Sequence, residues 1–164
     1  MIPGMIAATL LVLATVVIHY EALRVTSRAL PRLTAFTPRQ RLVAVLIAIF
    51  AAHTVEVWVY GGAYLVLDRL IDIGGFKGEV PVVLHDYVYF STVTYSSLGY
   101  GDLYPTGGLR LVAGVEAING LLLIGWSDSY TYLAMIELWG LHDEFVEQRR
   151  NERQEKAARR GGSP

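Results

Sequence analysis

The residues Ser97-Leu98-Gly99-Tyr100-Gly101-Asp102 sit between apolar stretches and offer mainly their backbone. Glycines at alternate positions allow dihedrals that turn successive carbonyls the same way. Stacked carbonyls can replace the water shell of a cation. The preceding segment, Tyr87 to Ser96, predicts about three turns of helix with Asp86 as its N-cap. Such a helix points its negative C-terminal end at the same place and favours a cation there. The chemistry is coordination rather than catalysis, because no Ser-His-Asp set, metal cluster or phosphate loop is legible. His53 and Glu56 have metal-ligand spacing, but two residues on one lipid-embedded helix make a weak case for a site.

Irregular backbone at membrane depth persists only if it is buried in protein or lines an aqueous path, so the surrounding elements matter. The chain has 164 residues, of which 53% are hydrophobic, and a formal net charge of -1. That balance argues against nucleic acid as a partner. Cysteines are lacking, which excludes disulfides and thiolate metal sites. Charge is unevenly spread. From Met1 to Tyr20 the ionisable side chain is His19; from Leu42 to Leu67 they are His53 and Glu56; from Leu111 to Trp139 they are Glu116, Asp128 and Glu137. Each stretch reaches the roughly 20 apolar residues that a spanning helix needs. None has a polar face of helical period, which argues against a soluble bundle. The first stretch has no Lys or Arg before its apolar run and no small-x-small cleavage site after it, so it reads as a retained helix rather than a leader.

Arg24, Arg28, Arg32, Arg39 and Arg41 stand in the first connection against one acid, Glu21, and the tail after Trp139 adds six more bases. The 68–110 segment carries only Arg69, Lys77 and Arg110. Basic loops stay cytoplasmic, which predicts an external N-terminus and a cytoplasmic C-terminus. Trp58 and Tyr60 near the outer end and Trp139 near the inner end suit interfacial belts. The four-residue spacing of Arg24, Arg28 and Arg32 suggests a voltage sensor, but Pro31 and Pro38 break that segment, and it reads as an amphipathic stretch at the lipid surface.

The string "TYSSLGYGD" resembles the potassium-channel signature Thr-x-x-Thr-x-Gly-Tyr-Gly-Asp, with Thr94 and Ser97 at the two threonine positions and Gly99 to Asp102 matching the rest. The order helix, re-entrant helix, filter, helix is similar to the two-helix pore unit of that family over about Leu42 to Leu141. The resemblance implies an all-α membrane protein: an extra N-terminal helix (1–20), a basic loop (21–41), a pore domain (42–141) and a charged tail (142–164). Within the pore domain it implies an outer helix (42–67), a pore helix (86–96), a filter (97–102) and an inner helix (107–141). It also implies K+ ligation by the carbonyls of Ser97, Leu98, Gly99 and Tyr100, and by the Ser97 hydroxyl, with Gly101 completing the filter and Asp102 at the outer mouth. One chain supplies one pore loop, so a homotetramer in the lipid bilayer is expected, with no soluble substrate and no enzyme activity. Serine and leucine at 97 and 98 depart from the usual threonine and valine. They keep a nonselective cation channel open as an alternative, beside a non-conducting interaction subunit.

In the third span, Gly120 matches a hinge position by the resemblance, and close helix packing explains it equally well. Leu121, Ile124 and Asp128 fall on one face, expected to line the cavity. Four Asp128 carboxylates would attract K+ and bind Mg2+ or polyamines, giving inward rectification; the alternative is a local pair with Ser127, Ser129 or Tyr130, or a wholly solvated acid. Counting depth places Glu116 level with His53, with Glu56 one turn further out. Glu116 is therefore expected to bond His53 or the back of the pore helix, either coupling the filter to protonation or simply packing. No cofactor is implied beyond the conducted ion. The compact size suggests a bacterial inner membrane, and the last residues, Gly161 to Pro164, are expected to be mobile.

Overall fold

The computed structural model describes residues 2–78 and 82–161. Four helices carry the fold: α1 (Ile2–Ala29, continued by a 3-10 turn Leu30–Arg32), α2 (Pro38–Arg69), α3 (Leu84–Tyr95) and α4 (Leu109–Gly161). Three are long and apolar enough to cross a membrane, over Ile2–Arg32, Pro38–Arg69 and Leu109–Gly140. A short antiparallel pair, β1 (Phe76–Gly78) with β2 (Leu103–Pro105), aligns Lys77 with Tyr104.

Several boundaries differ from the sequence reading. The first helix runs to Ala29 rather than ending at residue 20, so the basic connection is not the 21–41 loop. Its charged last turns are tied within the helix, where Arg24 donates to Glu21 at 2.7 Å. A helix need not end where its apolar face ends, and here Pro31 falls in the closing turn. The second helix starts at Pro38 because Thr37 and Gln40 cap it reciprocally: the Thr37 N–H donates to Gln40 Oε1 at 2.9 Å and the Gln40 N–H to Thr37 Oγ1 at 3.4 Å. Val83, rather than Asp86, caps α3. Asp86 sits in the first turn and accepts the Val83 N–H at 2.8 Å. The inner helix continues as α4 through the charged tail to Gly161, and the tail residues 162–164 lie outside the described residues.

The core is built in two apolar clusters. One gathers Tyr60, Tyr64, Tyr87, Phe90, Leu109 and Val112 around α3. The other gathers Leu23, Leu30, Val45, Ile49, Ala134 and Leu138. On α1, α2 and α4 alike, polar residues separate the two clusters: His19, then His53 and Glu56, then Ser127. The first helix is an integral part of this packing, since its buried Gly4, Ala8, Thr15, His19 and Leu23 share one face. Phe76 seats the strand pair on α2 and α3 through edge-on contacts with Tyr64 of α2 and Tyr87 and Phe90 of α3 at 5.5, 5.5 and 4.8 Å.

Candidate functional site

The segment after α3 has an alternating backbone. Ser97, Gly99 and Gly101 take φ of 58°, 51° and 81°, and Leu98 and Tyr100 between them are not in that region. Alternating the sign of φ turns successive peptide planes to one side, whereas a strand turns them to opposite sides. The same segment closes the helix end. The Ser96, Ser97 and Gly99 N–H groups donate to the carbonyls of Thr92, Thr94 and Val93 at 3.2, 2.9 and 3.0 Å. Ser97 therefore takes the left-handed position that glycine usually fills after a helix, at a cost of about 1–2 kcal/mol.

Within one chain this segment has little cover. Residues 96–102 are exposed except at their backbone bonds, and Leu98 and Tyr100 keep 57% and 68% of their surface. Its C-terminal end is anchored, since Tyr89 on α3 donates to Asp102 Oδ2 at 2.8 Å. That bond is the main reason the Tyr89 phenol is raised above its ordinary pKa. The strand pair then fixes the chain beyond Asp102.

On α4, Leu121 and Asp128 are exposed, whereas Ile124 is half buried against the cluster around α3 and does not share their open face fully. The three local partners considered for Asp128 are engaged elsewhere. Ser127 meets His53 and His19, Ser129 donates to the Gly125 carbonyl, and Tyr130 pairs with Ser27 at 2.9 Å. Gly120 has a tight steric reason to be glycine, because a β-carbon there would overlap the Tyr95 carbonyl oxygen. Gly125 has open space at the same point.

The pairing of Glu116 with His53 does not occur. Glu116 is fully buried and accepts from Tyr64 at 2.5 Å and from Ser91, on the back of α3, at 2.6 Å. His53 lies about three helical turns away from Tyr64 along α2. The depth count assumed that both helices match a bilayer core of about 30 Å, but α2 has 32 residues and a length of about 48 Å. His53 instead joins a separate layer. His19 Nδ1 lies 2.9 Å from Glu56 Oε1, and His53 Nδ1 lies 3.2 Å from Glu56 Oε2. Tyr95, the last residue of α3, donates to Glu56 Oε2 at 2.5 Å and lies 2.9 Å from His53 Nδ1. Ser127 Oγ closes the ring at 3.0 Å from His53 Nε2 and 3.2 Å from His19 Nε2. Asn119 adds a further tie, donating to Thr15 at 2.8 Å and to Tyr60 at 3.2 Å. Among the described residues, no buried side-chain polar atom lacks a partner.

The sequence reading missed His19, Tyr95, Ser127, Ser91 and Tyr64 as members of these layers. A signal for His19 existed: Gly4, Ala8, Leu11, Thr15, His19 and Leu23 recur every three to four residues, as a packed stripe does.

Comparison with known proteins agrees with this geometry. A 55-residue segment, 33% of the chain, is 42% identical to the uncharacterized membrane protein YdjJ of Bacillus subtilis (strain 168) and spans 16% of that protein's length. No solved structure matches the chain. The family model described as an ion channel matches residues 42–137, which take in most of α2, the strand pair, α3, the exposed segment and most of the apolar part of α4. With three helices fit to cross a membrane, this is an integral membrane protein that belongs to the ion channel family, in its two-helix, potassium-channel-like pore form.

Proposed function

We propose that the protein is a potassium-selective channel subunit, a homotetramer whose four copies bring the 97–102 segments together around one axis. The observation that carries this reading is the alternation of positive φ at Ser97, Gly99 and Gly101 in a segment that one chain leaves uncovered. Alternate left-handed residues favour a column of carbonyls, and such columns substitute for the hydration shell of K+. Exposed Leu98 and Tyr100 need cover from other copies if the segment lies at membrane depth. In this assembly the carbonyls of Ser97, Leu98, Gly99 and Tyr100 and the Ser97 hydroxyl ligate K+. Gly101 and the Tyr89–Asp102 bond hold the outer mouth.

Asp128 then faces the cavity with Leu121 and binds Mg2+ or polyamines from the cytoplasmic side. The bias of basic residues supports an external N-terminus and a cytoplasmic C-terminus, and the compact size supports a bacterial inner membrane. Gly120 permits close approach of α4 to Tyr95, and bending there is a second consequence of the same small residue. A nonselective cation channel is the second reading, favoured by the strained Ser97 and the bulkier Leu98.

The deciding experiment is K+ against Na+ flux from liposomes holding the purified protein, with and without barium. Barium-sensitive flux that favours K+ is the expected result. Equal Na+ and K+ flux supports the nonselective reading, and a purified monomer that carries no flux overturns both.

A further inference from the structure

We propose that His19, His53 and Glu56 form a binding site for a divalent transition metal of the zinc class, and that an ion there acts on the filter through Tyr95. These are two imidazoles and one carboxylate, a ligand set suited to zinc and its neighbours and poorly suited to calcium or magnesium. One ligand atom from each residue lies within 4.8 Å of the other two. Ligands about 2.0–2.1 Å from a tetrahedral ion are about 3.3 Å apart. His19 Nδ1 lies 2.9 Å from Glu56 Oε1 and His53 Nδ1 lies 3.2 Å from Glu56 Oε2, so the one carboxylate already stands between both imidazoles, a different oxygen facing each. Binding would replace the hydrogen bonds between the imidazoles and Glu56 with bonds to the ion.

The surroundings resemble those of a held site. Ser127 contacts a nitrogen of each ring, and Tyr95 donates to Glu56, so the outer partners orient all three ligands. His19 and Glu56 are fully buried, while the His53 side chain keeps 19% exposure and provides an edge for entry. The Tyr95 hydroxyl, 2.9 Å from His53 Nδ1, is the nearest further oxygen for a fourth position. The three ligands come from two helices, so an ion would also clamp α1 to α2.

An ion on Glu56 competes with the hydrogen bond that Tyr95 donates to the same carboxylate. Tyr95 ends α3 one residue before the exposed segment, and its carbonyl touches Gly120 of α4. Occupation therefore alters the support of the segment from behind. This consequence rests on the channel reading; metal binding does not.

The test uses the full chain, purified without a histidine tag and carrying His85→Gln and His142→Gln, so that His19 and His53 are the histidines left of four. Co2+ is titrated while the visible spectrum is recorded, and Zn2+ is then added in competition. The expected result is one Co2+ per chain with the intense bands of four-coordinate cobalt, displaced by Zn2+. His19→Gln is expected to weaken binding at least about 100-fold, the upper range for loss of even an outer partner. Lack of these bands at millimolar Co2+, or equal binding by His19→Gln, overturns the site. If His19→Gln does not assemble, Glu56→Gln and the parent spectrum decide it.

In liposomes, Zn2+ is expected to change K+ flux at least about threefold in the parent protein and to leave Tyr95→Phe unaffected. Intact cobalt bands with Zn2+-insensitive flux overturn the coupling. Intact bands with no flux under any condition overturn the channel reading and leave the site standing.

Discussion

The 96–102 segment and the His19–Glu56–Ser127 layer are both polar, both adjoin Tyr95, and are satisfied in opposite ways. The layer is complete within one chain: three spanning helices and α3 each contribute, and every ring nitrogen and carboxylate oxygen has a partner. The segment is complete in its backbone bonds to α3 but open at its side chains. A polar group inside a membrane protein must find a partner in its own chain or in another copy. The layer takes the first course, and in the proposed assembly the segment takes the second. On the proposed reading, stability of the protomer and formation of an ion path are therefore separable properties that meet at Tyr95.

The largest effect that would break this contrast is on the open segment. Gly99→Ala places a side chain at φ 51°, at a cost of about 1–2 kcal/mol in each chain. In the proposed tetramer the strain adds over four copies, and flux in liposomes is expected to fall at least tenfold while helix content by circular dichroism stays the same. Equal flux would remove the segment from the conduction path.

Glu56→Ala attacks the closed layer instead. It strips the partner from His19, His53 and Tyr95 together, and the loss of one member of a buried pair costs about 3–5 kcal/mol. A clear fall in the thermal unfolding midpoint in detergent is expected. An unchanged midpoint would show that the layer does not hold the helices together.

Gly120→Ala sharpens the join between the regions. Its methyl would overlap the Tyr95 carbonyl oxygen, so overpacking of about 1–3 kcal/mol is expected, whereas Gly125→Ala has open space and should stay within about 0.5 kcal/mol. Thermal unfolding of the two proteins side by side separates close packing from bending. Equal effects at both positions would argue for a general need for helix flexibility.

The smallest effect on stability belongs to Asp128→Asn. Asp128 is exposed, so its replacement should change stability by less than about 0.5 kcal/mol. Block of outward current by internal spermine is expected to weaken at least tenfold. Unaltered block would remove Asp128 from the cavity.

Much of the scaffold was legible in the sequence because it is local. Three apolar runs announce three spans, and the "TYSSLGYGD" string with its flanking helices announces the pore family that the 42–137 match establishes. Helix ends were less legible. Arg24 and Arg28 mark where an apolar run stops, while the helix continues through them to Ala29. The strand pair escaped notice because three residues on each side carry no periodic signal.

What the sequence by itself determined was composition-bound: a membrane chain with an alternating glycine segment at one re-entrant point. What only the tertiary structure decided was partnership. His19 stands 37 residues from Glu56, and Ser127 stands 74 from His53. Depth counting offered Glu116 either His53 or the back of the pore helix; the packing gave it Ser91 on α3, and sent His53 to Glu56, Tyr95 and Ser127. A span fixes the height of a residue only as well as its ends are known, and it leaves the facing of the helix open. The pairing of buried polar groups depends on both, and α1, α2, α3 and α4 settle both by packing together.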